Sequence, residues 1–158
     1  MALKDEVEQL RRVPLFAGVS PARLKLLAFT SDMVSFAGGR ILFNQGEQGD
    51  AAYVLLSGEV EVLIDSPTQQ IKIDTIGENA IVGEIAILCD GVRTATIKTT
   101  RAVTALRIRK EDFLKLLAEF PEMTIQIMRV LAERLNHTTA ALTEARGELK
   151  RLSDKLGG

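Results

Sequence analysis

Two charged residues of opposite sign stand in a run that is otherwise almost entirely apolar or small. The run is Ile81-Val82-Gly83-Glu84-Ile85-Ala86-Ile87-Leu88-Cys89-Asp90-Gly91-Val92-Arg93-Thr94-Ala95-Thr96. A guanidinium is a planar fork of donors that matches a phosphate. Backbone N–H groups at the start of a helical turn point at the same kind of anion. Glu84 would repel that anion, so it needs a donor instead, and a sugar hydroxyl would serve. The chemistry suggested is one phosphate beside one free hydroxyl, held in a closed pocket. The alternative is that Glu84 and Arg93 pair with each other inside a sheet, since buried charges are usually paired.

The elements that must position these groups can be read around them. Ile85 to Leu88 has helical spacing, Asp90-Gly91 suits a turn, and Arg93 opens an alternating run to Thr99 that predicts a strand. Alternation also predicts strands at Met33 to Phe36, Arg40 to Phe43, Ala52 to Leu56, Val60 to Ile64, Ile71 to Ile76 and Val103 to Ile108. In the fourth of these, Val60, Val62 and Ile64 share one face, and Glu59, Glu61 and Leu63 the other. Short strands punctuated by glycine turns argue a β-sandwich or jelly roll. Leu3 to Arg12 carries a weak helical pattern, broken by Pro14. Ser20-Pro21 caps a helix over Ala22 to Phe29, and Lys110 to Glu119 is helical up to Pro121.

Composition narrows the function classes. The chain has 158 residues, 46% hydrophobic, enough for one domain with a core or a domain plus an appendage. Lys+Arg 20 against Asp+Glu 21 leaves a net charge of −1, without the basic excess usual in nucleic-acid binders. A single cysteine, Cys89, allows no intramolecular disulfide and fits a reducing compartment. It follows an apolar run and is expected in the core or a pocket wall. One histidine and one cysteine build no zinc site. No signal-like start and no run of membrane-spanning length is visible, so the expectation is a cytoplasmic protein with no membrane partner. With no base–nucleophile pair and no metal cluster, it is not expected to be an enzyme.

Gly83-Glu84-Ile85-Ala86-Ile87 followed by Arg93-Thr94-Ala95-Thr96 resembles the phosphate-binding cassette of the cyclic nucleotide-binding domain family. The nine-residue step from Glu84 to Arg93 is similar to that of kinase regulatory subunits and cyclic-nucleotide-gated channels. Gly39 to Asp50 resembles the family's hairpin entry, with Gly46, Gly49 and Gly58 matching its turn glycines. The resemblance covers roughly Val13 to Thr139. It implies an α+β fold: a β-jelly-roll barrel (double-stranded β-helix) with N-terminal helices, a short phosphate-binding helix and a long C-terminal dimerisation helix. The boundaries implied are 1–122 for the barrel with its helices and 123–158 for the long helix. In the family's terms Glu84 would accept from the ribose 2′-hydroxyl and Arg93 would neutralise the cyclic phosphate. Thr94 would add a hydroxyl, Ile85 and Ala86 would add N–H donors, and Gly83 would let the backbone come close. Ile73 is a candidate for the purine wall.

The C-terminal segment reads as heptads. Met128, Leu135, Leu142, Leu149 and Leu156 fall seven apart, and Thr124, Leu131, Thr138, Ala145 and Leu152 fill the second seam. That predicts a homodimer through residues 124–156, parallel by resemblance, because the flanking charges form no pairing code. Ala132 to Thr139 resembles the long helix of the family's bacterial catabolite-activator branch. There a Thr-Ser pair, one hydroxyl from each chain, meets the adenine amino group. The resemblance implies that role for Thr138 and Thr139. Alternatively, hydroxyls in a seam bond their own helix carbonyls. The function expected is a stand-alone, or excised, bacterial sensor module that takes cAMP in preference to cGMP and signals to an unknown effector protein. No helix-turn-helix segment follows, so it is expected not to be a complete DNA-binding regulator. The competing expectation is a nucleotide-independent interaction module that keeps the barrel.

Overall fold

The alternating runs pair as two antiparallel sheets that face each other. The computed structural model describes residues 3–89 and 91–157, so the turn expected at Asp90 lies outside the described residues. Among the described residues the strands are β1 (Asp32–Phe36), β2 (Ile41–Phe43), β3 (Ala51–Ser57), β4 (Val60–Asp65), β5 (Gln70–Ile76), β6 (Ile81–Val82), β7 (Thr96–Thr99) and β8 (Val103–Arg109). One sheet runs β1-β8-β3-β6 and the other β2-β7-β4-β5. Phe43, Tyr53, Leu55, Val60, Val82, Ile97, Val103 and Ala105 fill the space between them, drawing on both sheets. This is the jelly-roll type of fold.

Helices bracket the barrel. They are α1 (Leu3–Arg11), α2 (Pro21–Thr30), α3 (Glu84–Leu88), α4 (Lys110–Glu119) and α5 (Pro121–Gly157), with a 3₁₀ turn at Pro14–Phe16. Ser20 caps α2 by accepting from the Arg23 N–H at 3.4 Å, with Pro21 in the first turn. Leu10, Phe16, Leu24 and Phe113 are fully buried, so α1, α2 and α4 bring apolar faces to the core. The chain divides into two compact units, Met1–Phe120 and Pro121–Gly158.

Several expectations need correction. The strand expected from Arg93 begins only at Thr96, because the preceding residues bond a loop instead of a strand. The Arg93 N–H donates to the Glu47 carbonyl at 2.7 Å, and the Gly46 N–H donates to the Arg93 carbonyl at 2.9 Å. Two residues show no periodicity, so β6 is legible only as the short run that leads into Gly83. Alternation puts Leu63 on the face of Glu59 and Glu61, opposite Val60, Val62 and Ile64, yet Leu63 is buried. There the β4–β5 ladder skips a residue: Val62 faces Asp74 and Leu63 faces Lys72, leaving Ile73 as the extra residue of a bulge. Cys89, expected inside, is exposed. It follows the last turn of α3, where the apolar run has already ended its buried face. The last helix starts at Pro121, three residues before the heptads become readable.

Taken alone, α5 is 37 residues long, about 55 Å at 1.5 Å per residue. Met128, Leu135, Leu142, Leu149, Leu152 and Leu156 are exposed along it. Gly147 has open space around it.

Two glycines set opposite expectations. Gly58 turns β3 into β4 at φ 94°, and a side chain there would overlap the Ala102 carbonyl and come within 2.7 Å of Val103 Cγ2. Gly58→Ala is expected to cost at least about 2 kcal/mol of folding free energy. Gly147→Ala relieves a helix-interior glycine and is expected to gain about 0.8–1 kcal/mol. Urea midpoints of the two variants, read at unchanged slope, check both signs.

Candidate functional site

Glu84 and Arg93 are 1% and 3% exposed, and among the described residues they are the charged residues that the fold buries. A buried charge is tolerated only where hydrogen bonds replace its water. For Arg93 the replacements are two backbone carbonyls. Nη1 donates to the Gly83 carbonyl at 2.8 Å, and Nη2 donates to the Ala51 carbonyl at 2.7 Å. The guanidinium carbon lies 3.9 Å from the centre of the Phe43 ring, which offers its negative face to the cation. The Phe43 ring leans in turn on Tyr53, with ring centres 5.9 Å apart. Nε–H of Arg93 is buried and has no partner among the described residues.

The backbone around Arg93 is pinned from two sides. Beyond its bonds to Gly46 and Glu47, an isolated bridge joins Gln48 to Val92, and the Gly49 N–H donates to the Gly91 carbonyl at 3.4 Å. The Gly91 N–H donates back to the Ala86 carbonyl at 2.9 Å, tying the loop to α3. Gly49 lies so close to Ala86 that a side chain on it would overlap the Ala86 Cβ. Its φ is not positive, so it is needed for space and not for conformation as the sequence suggested. Gly83, by contrast, adopts the left-handed conformation, φ 85°, at the N-cap of α3. A Cβ there would sit 2.6 Å from Arg93 Nη1. That turn aims the Gly83 carbonyl at the guanidinium and starts α3 with Glu84 in its first turn.

Electrostatics follow the geometry. Burial pushes the Arg93 pKa down, opposed by Tyr53, Asp50 and Glu47, while the like charge of Arg107 lowers it further. A guanidinium stays protonated in proteins. The shift therefore reads as strain on the charge, which an anion would relieve, and not as a neutral arginine. An oxygen acceptor reaching the orphan Nε–H would remove a penalty of about 1–3 kcal/mol. The residues present thus fit a small anionic group.

Of the residues singled out in the sequence, Gly83 and Arg93 are in direct contact, with Glu84 the next residue along and Ala86 buried beneath. Ile85 is half-buried and Thr94 is exposed. Thr138 and Thr139 lie in the second unit, exposed on α5. Ile73 is half-exposed at the β5 bulge. The sequence reading missed Phe43, the Ala51 carbonyl and Asp50, whose Oδ1 lies 3.8 Å from Arg93 Nη2. The only signal for them was the likeness of Gly39 to Asp50 to a hairpin entry, which pointed to turns.

The family model for the cyclic nucleotide-binding domain matches residues 33–120, more than half the chain. The chain belongs to the cyclic nucleotide-binding domain family. It is 33% identical over 141 residues to a CRP-like cAMP-activated global transcriptional regulator of Mycobacterium tuberculosis, covering 89% of this chain and 62% of that one. The chain thus spans less than two thirds of that relative's length. Among solved structures it resembles Thermus thermophilus catabolite activator protein, with TM-score 0.69 and 28% identity over 89% of this chain and 63% of that one. The sensor domain of the transcriptional regulator DNR from Pseudomonas aeruginosa has TM-score 0.75 at 24% identity, covering 87% and 93% of the two chains, which shows the shared fold. The matched residues include most of the barrel and the whole Gly83–Arg93 stretch. Among the described residues no helix is long and apolar enough to cross a membrane.

Because Gly83 is doubly constrained, Gly83→Ala is expected to cost about 1–2 kcal/mol in backbone strain alone. It should also shift the Arg93 guanidinium off the Gly83 carbonyl. A urea titration and a crystal structure of the variant test the two parts. An unchanged midpoint with Arg93 in place would contradict the assignment.

Proposed function

We propose that this chain is a cyclic-nucleotide sensor, cAMP preferred over cGMP, acting as a regulatory module and not as an enzyme. The observation that carries this reading is the pair of buried opposite charges nine residues apart, with Arg93 holding an unmatched buried donor. A cyclic nucleotide presents the two complementary groups within one sugar: an anionic phosphodiester and a 2′-hydroxyl that can donate. In this reading Arg93 receives the phosphate, with Thr94 and the N–H groups of Ile85 and Ala86 adding donors. Glu84 accepts from the 2′-hydroxyl, and Gly83 keeps the backbone close. The name of the mycobacterial relative, which describes activation by cAMP, supports the choice of nucleotide.

The proposal extends to the second unit. The exposed leucines of α5 repeat every seven residues, and they form the seam of a homodimer through residues 124–156. Thr138 and Thr139 then read the adenine amino group, one hydroxyl from each chain, and binding is linked to helix pairing. The sensor acts in the cytoplasm on an effector protein whose identity the residues do not reveal.

Calorimetric titration of nucleotide-stripped protein with cAMP and cGMP tests the ligand. Micromolar or tighter binding is expected, and Arg93→Ala should weaken it well over tenfold, since truncating one partner of a desolvated charge contact costs about 2–5 kcal/mol. Glu84→Ala should cost somewhat less. No binding of either nucleotide by folded, dimeric protein would replace the sensor with a nucleotide-independent interaction module. For the dimer, Leu149→Lys puts a charge in the seam and should shift the sedimentation-equilibrium mass toward that of one chain. An unshifted dimer mass would exclude this seam.

A further inference from the structure

Arg107 lies outside the stretch that carries the phosphate chemistry, yet one carboxylate ties it there. It stands on β8, with Asp32 of β1 and Tyr53 of β3 as its register partners on either side. Its Nη1 donates to Asp32 Oδ2 at 3.4 Å, and its Nη2 donates to Asp50 Oδ2 at 3.1 Å. The other oxygen of Asp50 faces Arg93 Nη2 at 3.8 Å. Asp50 therefore bridges two arginines and stands nearer to Arg107. The three groups differ in freedom. Arg93 is fixed by two carbonyls and a ring, and Arg107 is flanked by strands on both sides. The Asp50 side chain is 70% exposed and can move.

We propose that Arg107 is a positioning residue of the phosphate site: by engaging Asp50 it keeps that carboxylate from neutralising Arg93, so that the Arg93 charge remains available to an anionic ligand. This deepens the cyclic-nucleotide reading and rests on it.

The charges make the direction definite. With Arg107 present, Arg93, Arg107 and Asp50 sum to one net positive charge beside the site. Without it, the sum is zero and Asp50 has one cation left to approach, which is Arg93. The phosphate would then compete with Asp50 for the same guanidinium. Asp32 cannot replace Arg107 in this role, because it is itself an anion that draws on Arg107, with Arg109 Nη2 a more distant 3.9 Å away from it. Arg107 lends its own positive charge to the surroundings of Arg93, and its side-chain link to the site is Asp50, the carboxylate that both arginines face.

The test is calorimetric titration with cAMP of the full chain as wild type, Arg107→Gln, Arg107→Lys, Asp50→Asn and the Asp50→Asn/Arg107→Gln pair, each shown folded by circular dichroism. Arg107→Gln is expected to weaken cAMP by about two- to fivefold, the range that a partly exposed ion pair carries. Arg107→Lys should recover most of that loss. In the Asp50→Asn background the effect of Arg107→Gln should largely vanish, a non-additivity that a merely structural role would not produce. Equal or tighter cAMP binding by Arg107→Gln overturns the proposal while the sensor reading stands. So does an equal loss in both backgrounds. Failure of the wild type to bind any cyclic nucleotide overturns the sensor reading and the proposal with it.

Discussion

The grip of two backbone carbonyls on one guanidinium is the contact on which the site depends. Removing an arginine from water costs several kcal/mol after relaxation, and the cost is offset only by well-placed acceptors. Gly83 and Ala51 supply them from positions ten and 42 residues away in sequence. Both carbonyls exist as acceptors only because of local geometry. The Gly83 oxygen faces Arg93 because the residue is left-handed, a conformation that a glycine enters without steric penalty. The Ala51 oxygen is available because β3 has only just begun there. The Phe43 ring completes the enclosure with a face that attracts the cation and an edge that packs in the core.

From that grip the surrounding architecture follows. Arg93 cannot belong to a regular strand, since its backbone bonds are taken by the loop at Gly46 and Glu47. The strand is therefore displaced to Thr96, where the Thr96 Oγ accepts from the Gln45 N–H at 2.9 Å and holds the same loop from its other end. Three residues further along β7, the Thr99 Oγ donates to the Ala37 carbonyl at 2.7 Å and accepts from the Arg40 N–H at 2.9 Å. Two buried threonines on one strand thus fasten the two connections that flank β2. The loops near the charged site are held by side chains of the barrel itself, so the position of Arg93 is set by the sheets and not by the loop alone.

What could be read in the sequence was what sequence encodes locally. Gly83, Glu84 and Arg93 were legible because a glycine and two opposite charges are anomalous in an apolar run, and the fold does bury both charges. The strands from β1 to β5 and β8 were legible because alternation is a period-two signal, and the helices because theirs is 3.6. The failures have one source, which is contact between distant residues. Nothing near Leu63 announces that the partner strand will bulge at Ile73. Ile81-Val82 is too short to alternate and becomes a strand only because Tyr53 and Val54 offer it a ladder. Phe43, the Ala51 carbonyl and Asp50 reach Arg93 across 42 to 50 residues, and no spacing rule links them. Cys89 was misplaced for the opposite reason: an apolar run predicts burial, but a five-residue helix buries only the face carrying Glu84, Ala86 and Ile87.

The described site also divides the recognition problem. Glu84 and Arg93 can distinguish a cyclic sugar phosphate from an uncharged ligand, but they see nothing of the base, which differs between cAMP and cGMP at a distance from both groups. Thr94 is exposed, and its single hydroxyl serves the phosphate in the proposed arrangement. Base selection then has to come from groups outside the charged pair, and Thr138 and Thr139 are the hydroxyl pair proposed for it. If hydroxyls from two chains complete the pocket, affinity and dimerisation share one free energy: whatever favours helix pairing tightens binding, and the nucleotide favours pairing by the same factor. In the proposed sensor the output is the pairing of α5, and contact between Arg93 and the phosphate supplies the binding energy that the pairing equilibrium draws on.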